Sequence, residues 1–217
     1  MKRKWFYFVV ALLFIGVLAH PESGSADSTN TVTTKVMVYK GQQYIQLAGG
    51  DRVVINKLNK LFKEHAVKAA SSNRKLKKEN ASYSYTTQAS TKYNKANKIS
   101  VMYTDYVYTG GAHGMYGIVM YNYDLKTGKS YELKDYIQNQ TQKNNLKNAI
   151  SASLQAKYDA GENVFEDRIY DFPLEVNTDF YYYQKGIVVV FYPYEVAPYA
   201  EGIVSIKVPF DTINKTN

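Results

Sequence analysis

The sequence predicts an α+β fold of mostly antiparallel sheet, with one helix per half and two similar-sized units. Three observations predict it. Apolar residues recur at three- and four-residue spacing in two separate stretches, from about Asp51 to Ala70 and from about Gln142 to Tyr158. Each stretch is followed by runs that alternate apolar or aromatic residues with polar ones, the period of a strand with one face inward. The 217 residues include 22 Tyr and are 45% apolar, so a core can be buried and Tyr-rich strands can line half-buried sheet faces.

The N-terminal run reads as an export signal over residues 1–26. Lys2, Arg3 and Lys4 precede an apolar run from Trp5 to Ala19, and small residues at Gly24, Ser25 and Ala26 offer a cleavage site, as does Ala19. An uncleaved anchor is the alternative, since the run is short for a bilayer span. Asp27 to Thr34 is a polar lead-in.

The first unit is expected over residues 35–125. Lys35–Tyr39 has strand composition, continued by Tyr44, Ile45 and Leu47 and ended by Gly49-Gly50. Asp51 is placed to cap a helix on which Val54, Leu58, Leu61, Phe62, His65 and Ala69 share a face. His65 reads as a packed side chain on that stripe. Asn73–Asn80 (NRKLKKEN) reads as a basic helix end or loop, either a solvated surface or a contact for an anionic partner. Strands follow at Tyr83–Thr87, Ile99–Tyr108 and Gly117–Tyr123. Between the last two, Tyr108–Gly114 (YTGGAHG) carries three glycines, which mark positive φ or close backbone approach. It lacks the Lys and following helix of a phosphate-binding loop.

The second unit is expected over residues 126–213. Asp124–Lys129 (DLKTGK) reads as a hairpin turn, followed by a short strand at Tyr131–Leu133 and a helical turn at Leu133–Tyr136. Leu146, Ala149, Ile150, Ser153, Leu154 and Tyr158 define the second helix. Asp159–Asp179 holds seven acidic residues against Arg168 alone. Phe180–Tyr183, Gly186–Tyr192 and Ile203–Phe210 close the unit as three strands. The connection Phe191–Gly202 (FYPYEVAPYAEG) holds Pro193 and Pro198 five residues apart, so it is an ordered loop. Its tyrosines either present aromatic area or pack on the core.

Charge is uneven. Residues 27–125 hold fourteen Lys/Arg against six Asp/Glu, while residues 126–217 hold ten against twelve. Such asymmetry speaks of partners rather than fold. The absence of Cys excludes disulfides, thiolate metal sites and a Cys nucleophile. With His20 inside the signal, only His65 and His113 remain, too few for a His-rich zinc site. No G-x-S-x-G elbow occurs. Pairs of acids are too plentiful to single out a glycosidase pair.

Three motifs together, YTGGAHG at Tyr108–Gly114, DLKTGK at Asp124–Lys129 and FYPYEVAPYAEG at Phe191–Gly202 ahead of IVSIKVPF, resemble a pair of bacterial extracellular domain families of unknown function. The first two are similar to the N-terminal partner, which occurs in a polysaccharide deacetylase as an accessory region. The third is similar to the C-terminal partner. The pair resembles the ectodomain of a membrane-spanning anti-sigma factor that binds lysozyme, over nearly all of residues 35–210. Only Met1–Lys4 precede the apolar run, so a cytoplasmic segment that holds a sigma factor is not expected.

The expected function is therefore non-catalytic binding at the bacterial surface, secreted or wall-associated. The partner is an extracellular protein such as a lysozyme-like muramidase, or an anionic cell-wall polymer. The alternatives are a wall-modifying hydrolase or deacetylase, and a structural surface or coat component. No cofactor, metal or nucleic acid is expected. A membrane is met only through an uncleaved signal, and the chain is expected to be a monomer. The contact residues singled out are Tyr108, Thr109 and His113 in the glycine loop and Tyr192, Tyr194, Glu195, Pro198 and Tyr199 in the Pro–Tyr loop. These positions either meet a partner or hold the two units together.

Overall fold

A computed structural model describes residues 32–175 and 177–216. The export-signal reading of residues 1–26 lies outside them. The first unit begins with a hairpin, β1 (Thr33–Tyr39) and β2 (Gln42–Ala48), paired antiparallel from Thr33↔Ala48 to Tyr39↔Gln42. The composition of this stretch predicts one continued strand. Lys40 and Gly41 reverse it instead, with φ of 48° and 82°, the two left-handed positions of a tight hairpin turn.

Helix α1 (Arg52–Glu79) is capped by Asp51, whose carboxylate accepts the amides of Val53 and Val54. It runs nine residues past the predicted Ala70 end. Nothing in Ser71–Glu79 breaks a helix, and Lys77 and Lys78 in the last turn complement the negative end of its dipole. Its apolar stripe, including Leu58 and Phe62, lies on a three-stranded sheet of β3 (Ser84–Lys95), β4 (Lys98–Tyr108) and β5 (Met115–Asp124) in that order. Ile99, Val101 and Tyr103 of β4 are fully buried there. The β3–β4 turn is again a left-handed pair, Ala96 and Asn97.

A strand at a sheet edge leaves amides and carbonyls open, and proteins blunt them. Here Gln42, Gln43 and Asn73 cover the free edge of β3. Gln42 accepts the Thr87 amide at 2.7 Å and donates to Tyr85 O at 3.1 Å. Gln43 accepts the Ala89 amide, and Asn73 that of Tyr85.

The second unit holds α2 (Gln140–Asp159), capped by Asn139, and a sheet of β6 (Phe180–Tyr183), β7 (Gly186–Phe191) and β8 (Val204–Pro209) in that order. Every residue of β7 is buried, and Leu146, Ile150 and Leu154 of α2 share its core. The Asp124–Lys129 turn forms, with the Asp124 carboxylate accepting the amides of Lys126 and Thr127. The short strand expected at Tyr131–Leu133 does not form. A single bridge joins Tyr123 to Ser130, then Leu133–Asp135 turns as a 3-10 helix. A four-residue helix, α3 (Phe210–Ile213), is added to the predicted one helix per half. The α+β class with mostly antiparallel sheet in two units stands. No helix among the described residues is long and apolar enough to cross a membrane.

The two units meet along a closed seam. Ser100 and Asn122, cross-strand partners on β4 and β5, are buried and hydrogen-bonded at 2.7 Å. Asn122 then donates to Phe180 O at 2.7 Å, and Ser100 Oγ accepts the Tyr182 amide at 3.0 Å. The outer edge of β6 is thus completed by side chains of the other unit. Beside it, Lys98 places its ammonium 4.8 to 5.9 Å from the ring centres of Tyr182, Tyr131, Tyr136 and Phe210. Burial lowers the Lys98 pKa, partly opposed by Asp124, and the ring faces substitute for lost water.

Candidate functional site

The glycine loop spans the gap between β4 and β5. Gly110 and Gly111 have φ of 98° and 91°, which only glycine adopts without strain. At Gly114 the reason is space: a Cβ there would run into the Val107 carbonyl and the Tyr106 ring. The Tyr106 hydroxyl accepts the Gly114 amide at 2.9 Å, and the Tyr108 hydroxyl donates to Gly111 O at 3.0 Å. His113 donates from Nδ1 to Gly114 O at 2.9 Å, since a carbonyl can only accept.

The Pro–Tyr loop is folded on itself. Glu195 N donates to Tyr192 O, closing a turn with Pro193 second and Tyr194 third. Tyr194 has φ of 71°, the position where such a turn favours glycine. Tyr194 N donates to Ala197 O, and the Tyr192 amide donates to the Glu195 carboxylate at 2.6 Å. Val196 and Ala197 are buried in the second core and fix the loop's far side. Pro198 precedes a 3-10 turn at Tyr199–Glu201.

The two loops, one from each unit, come together. Tyr199 donates its hydroxyl to Gly114 O at 2.8 Å and stacks on His113, ring centres 4.4 Å apart and 22° from parallel. Tyr116 and Tyr194 lie 5.3 and 5.9 Å from the Tyr199 ring. The outer surface of this cluster carries His113, Tyr194 (53% exposed) and Met115 (50% exposed). Of the residues singled out by sequence, His113, Tyr194 and Tyr199 form the cluster. Tyr192 and Glu195 stand behind it, Tyr108 braces the glycine loop, and Thr109 is exposed and takes part in none of these hydrogen bonds. Tyr106, Met115 and Tyr116 were not singled out. Their signal was position alone, on the ends of β4 and β5 nearest the glycines.

Behind the cluster the Tyr192 hydroxyl lies 2.7 Å from Ile118 O and 2.5 Å from an Asp179 carboxylate oxygen. One hydroxyl proton cannot serve both acceptors. The arrangement closes when Tyr192 donates to Ile118 O and a protonated Asp179 donates to Tyr192. Burial pushes the Asp179 carboxyl up in that direction, against the opposing Tyr192 hydrogen bond. Burial also raises Glu195, against the Tyr192 amide. An open groove of ≈ 360 Å³ adjoins the cluster, lined by Tyr194, Glu195, Arg168, Asp171, Phe172 and Pro173. The acidic stretch therefore borders the Pro–Tyr loop. Its apolar members, Val164, Ile169 and Phe172, are buried anchors.

A second polar constellation lies under α1. His65 Nε2 sits 3.0 and 3.1 Å from the two Asp105 oxygens, and Nδ1 sits 3.2 Å from the Tyr121 hydroxyl. The ring packs 4.1 Å from that of Tyr103. Burial would raise the Asp105 carboxyl, but the His65 bond and neighbouring hydroxyls outweigh it and hold it low. Burial first, then Asp105, pushes the Tyr85 phenol up to about 12. Both imidazole nitrogens are engaged and the pair is nearly buried. It ties the helix to the sheet, in keeping with the packed role expected of His65.

The fold defines the class: a tandem of two α+β units joined by a closed polar seam and an aromatic junction. Residues 30–116 match the family model described as Deacetylase PdaC, and residues 125–211 match that of the Protein of unknown function (DUF3298). The paired families suggested by the three motifs are these two, in the expected order, although the DLKTGK motif expected with the N-terminal one falls, but for Asp124, in the DUF3298 match instead. Among solved structures, a DUF3298 family protein from Pseudomonas aeruginosa PAO1 is 18% identical, with a TM-score of 0.61, covering 84% of this chain and 92% of that one. A DUF3298 member from Bacteroides fragilis is also 18% identical, with a TM-score of 0.57 and coverages of 86% and 94%. The likeness is one of fold. No curated protein matches.

Proposed function

We propose that this chain is a non-catalytic binding protein of the bacterial cell surface, and that the loop junction captures a cationic extracellular protein of the muramidase kind. The observation that carries the reading is Tyr194. The chain holds an exposed aromatic in a left-handed turn position that costs a non-glycine residue roughly 1–2 kcal/mol. Strain of this kind collects at sites of function. Tyrosine offers large contact area with few rotors, and here the neighbouring Tyr199 ring, itself stacked on His113 of the other unit, pre-arranges it. The bordering acidic stretch supplies short-range attraction for a cationic partner, effective within about 8 Å at physiological salt.

The matched model carries a deacetylase's name, and the resemblance treats that region as an accessory one. This supports an extracellular or cell-wall setting. The carboxyl pair nearest the junction, Asp179 and Glu195, is occupied by Tyr192, which favours binding over hydrolysis. The test is calorimetric titration of the purified chain with hen lysozyme, with cytochrome c as an equally basic control. Lysozyme binds, cytochrome c does not, and Tyr194→Ala weakens binding roughly thirtyfold, as an anchor residue does. Equal binding of both proteins, or an unchanged affinity in Tyr194→Ala, overturns the reading.

A further inference from the structure

The basic run Asn73–Asn80 takes no part in the loop junction, yet the fold gives it a definite shape. As the last two turns of α1, it forms one wall of a groove of ≈ 550 Å³ whose other wall is the β1–β2 turn. Lys40, Arg74, Lys77 and Lys78 line it, with Tyr39 and Asn73 among them, and no carboxylate does. None of these four cations enters an ion pair among the described residues, although Lys60, Lys129, Lys134, Lys157 and Arg168 all do. Lys40 and Lys63 both lie within 6 Å of the Tyr39 ring centre, at 5.6 and 5.9 Å. The ring therefore adds a cation-holding floor.

We infer that this groove is a binding site for a linear phosphodiester polymer. Arg74, Lys77 and Lys78 stand at helical i, i+3 and i+4 positions, so their charges project from one face within about 6 Å of helix rise. Lys40 faces them from the hairpin turn. A lone small anion engages one or two of these cations. A chain with regularly repeated charges engages all four, and the Arg fork suits phosphate oxygens two at a time. Concavity selects a strand over a bilayer, because four cations on two facing walls cannot all meet a flat headgroup plane. The groove shares no residue with the loop junction. It adds a second specificity that stands or falls independently of the protein-capture reading.

The test uses the full chain, a synthetic poly(glycerol phosphate) oligomer, and vesicles of phosphatidylglycerol in phosphatidylcholine. Affinity for the oligomer falls with salt, with a log–log slope of about −3, from four neutralised phosphates at roughly −0.7 each. Arg74→Gln/Lys77→Gln weakens oligomer binding roughly thirtyfold at low salt. The control Lys126→Gln/Lys147→Gln removes the same net charge at exposed positions elsewhere and changes affinity less than about threefold. All four positions are on the surface, and circular dichroism checks the fold. Failure to bind the oligomer, or an equal loss in both double variants, overturns the site. Vesicle binding as tight as oligomer binding, abolished by the groove variant, overturns the choice of polymer. Lysozyme binding unchanged in the groove variant separates this site from the loop junction.

Discussion

Two aromatic contacts join the halves of this molecule, and they differ in what they leave over. At the closed seam, Tyr182 is 2% exposed, its hydroxyl meets that of Tyr136 at 2.6 Å, and Lys98 fills the space between the rings. The outer edge of β6 is answered from the other half, by Asn122 and Ser100. At the loop junction, Tyr199 makes one hydrogen bond and one stack, while Tyr194 remains half exposed in a strained turn. Tyrosine content is high in both. Richness in tyrosine therefore does not mark a binding surface. What sets the loop junction apart is unspent area held in an uncomfortable conformation.

The comparison breaks first at Tyr182. Replacing it with Ala opens the seam and leaves Tyr136 without its partner, at an expected cost of about 3–5 kcal/mol in denaturant unfolding. A loss below about 1 kcal/mol would show that the seam is not what holds the halves together. Next is Asn122→Ala, which strips Phe180 O of its donor and Ser100 of its acceptor. The expected loss is about 1–3 kcal/mol, the usual cost of an unpaired buried polar group. Unchanged stability would mean that water takes over the edge of β6.

Alkaline pH probes the same seam without mutation. Burial pushes the Tyr136 phenol up to about 12, above its unhindered 10.0, with Tyr131 and Asp135 adding to the rise and Tyr182 opposing it. A raised folded value means stability that is complete below pH 10.0 and lost as pH climbs through about 12. Tyrosinate absorbance should therefore appear in two steps, exposed phenols first and the seam with unfolding. A single step near 10 would contradict the burial.

The sequence made the outline of the fold plain, and the reasons are local. The cap at Asp51, the spacing on both helices and the alternation of β4 and β5 are decided within each segment. Two turns escaped because Lys40-Gly41 and Ala96-Asn97 lack the usual Asn-Gly signal, so β1–β2 read as one strand and the end of β3 went unread. The glycine and Pro–Tyr loops were visible as special backbone. Their contact was not, since His113 and Tyr199 lie far apart in the chain and meet only through the packed halves. The same holds for Asp105 under His65 and for Lys98 among its rings. A partner chosen by tertiary packing leaves no period in the sequence.

Behind the junction, Asp179→Asn tests the proton arrangement around Tyr192. The Asp179 carboxyl is raised by burial, so its contribution is present below about 3.8 and declines as pH rises through its folded value. An amide carries a donor at every pH and can hold Tyr192 in the same place. The expected result is a small rise in melting temperature at pH 7 and no change at acid pH. A fall at pH 7 would show that an ionised Asp179 accepts from Tyr192 instead.

The smallest stability effect, and the sharpest divide between the two contacts, is expected at Tyr194. Glycine there relieves a left-handed penalty of about 1–2 kcal/mol. It also loses a ring contact of roughly 0.5–1.5 kcal/mol with Tyr199, and adds unfolded-chain freedom of about 0.5–1 kcal/mol. These nearly cancel, so Tyr194→Gly should unfold within about 1 kcal/mol of the parent chain. Alanine keeps the strain and loses the ring, so Tyr194→Ala should be the less stable of the two. Both remove the same anchor and should weaken partner binding alike. If both variants lose about 3 kcal/mol or more, the ring packs as core, and the junction is a second seam rather than a face.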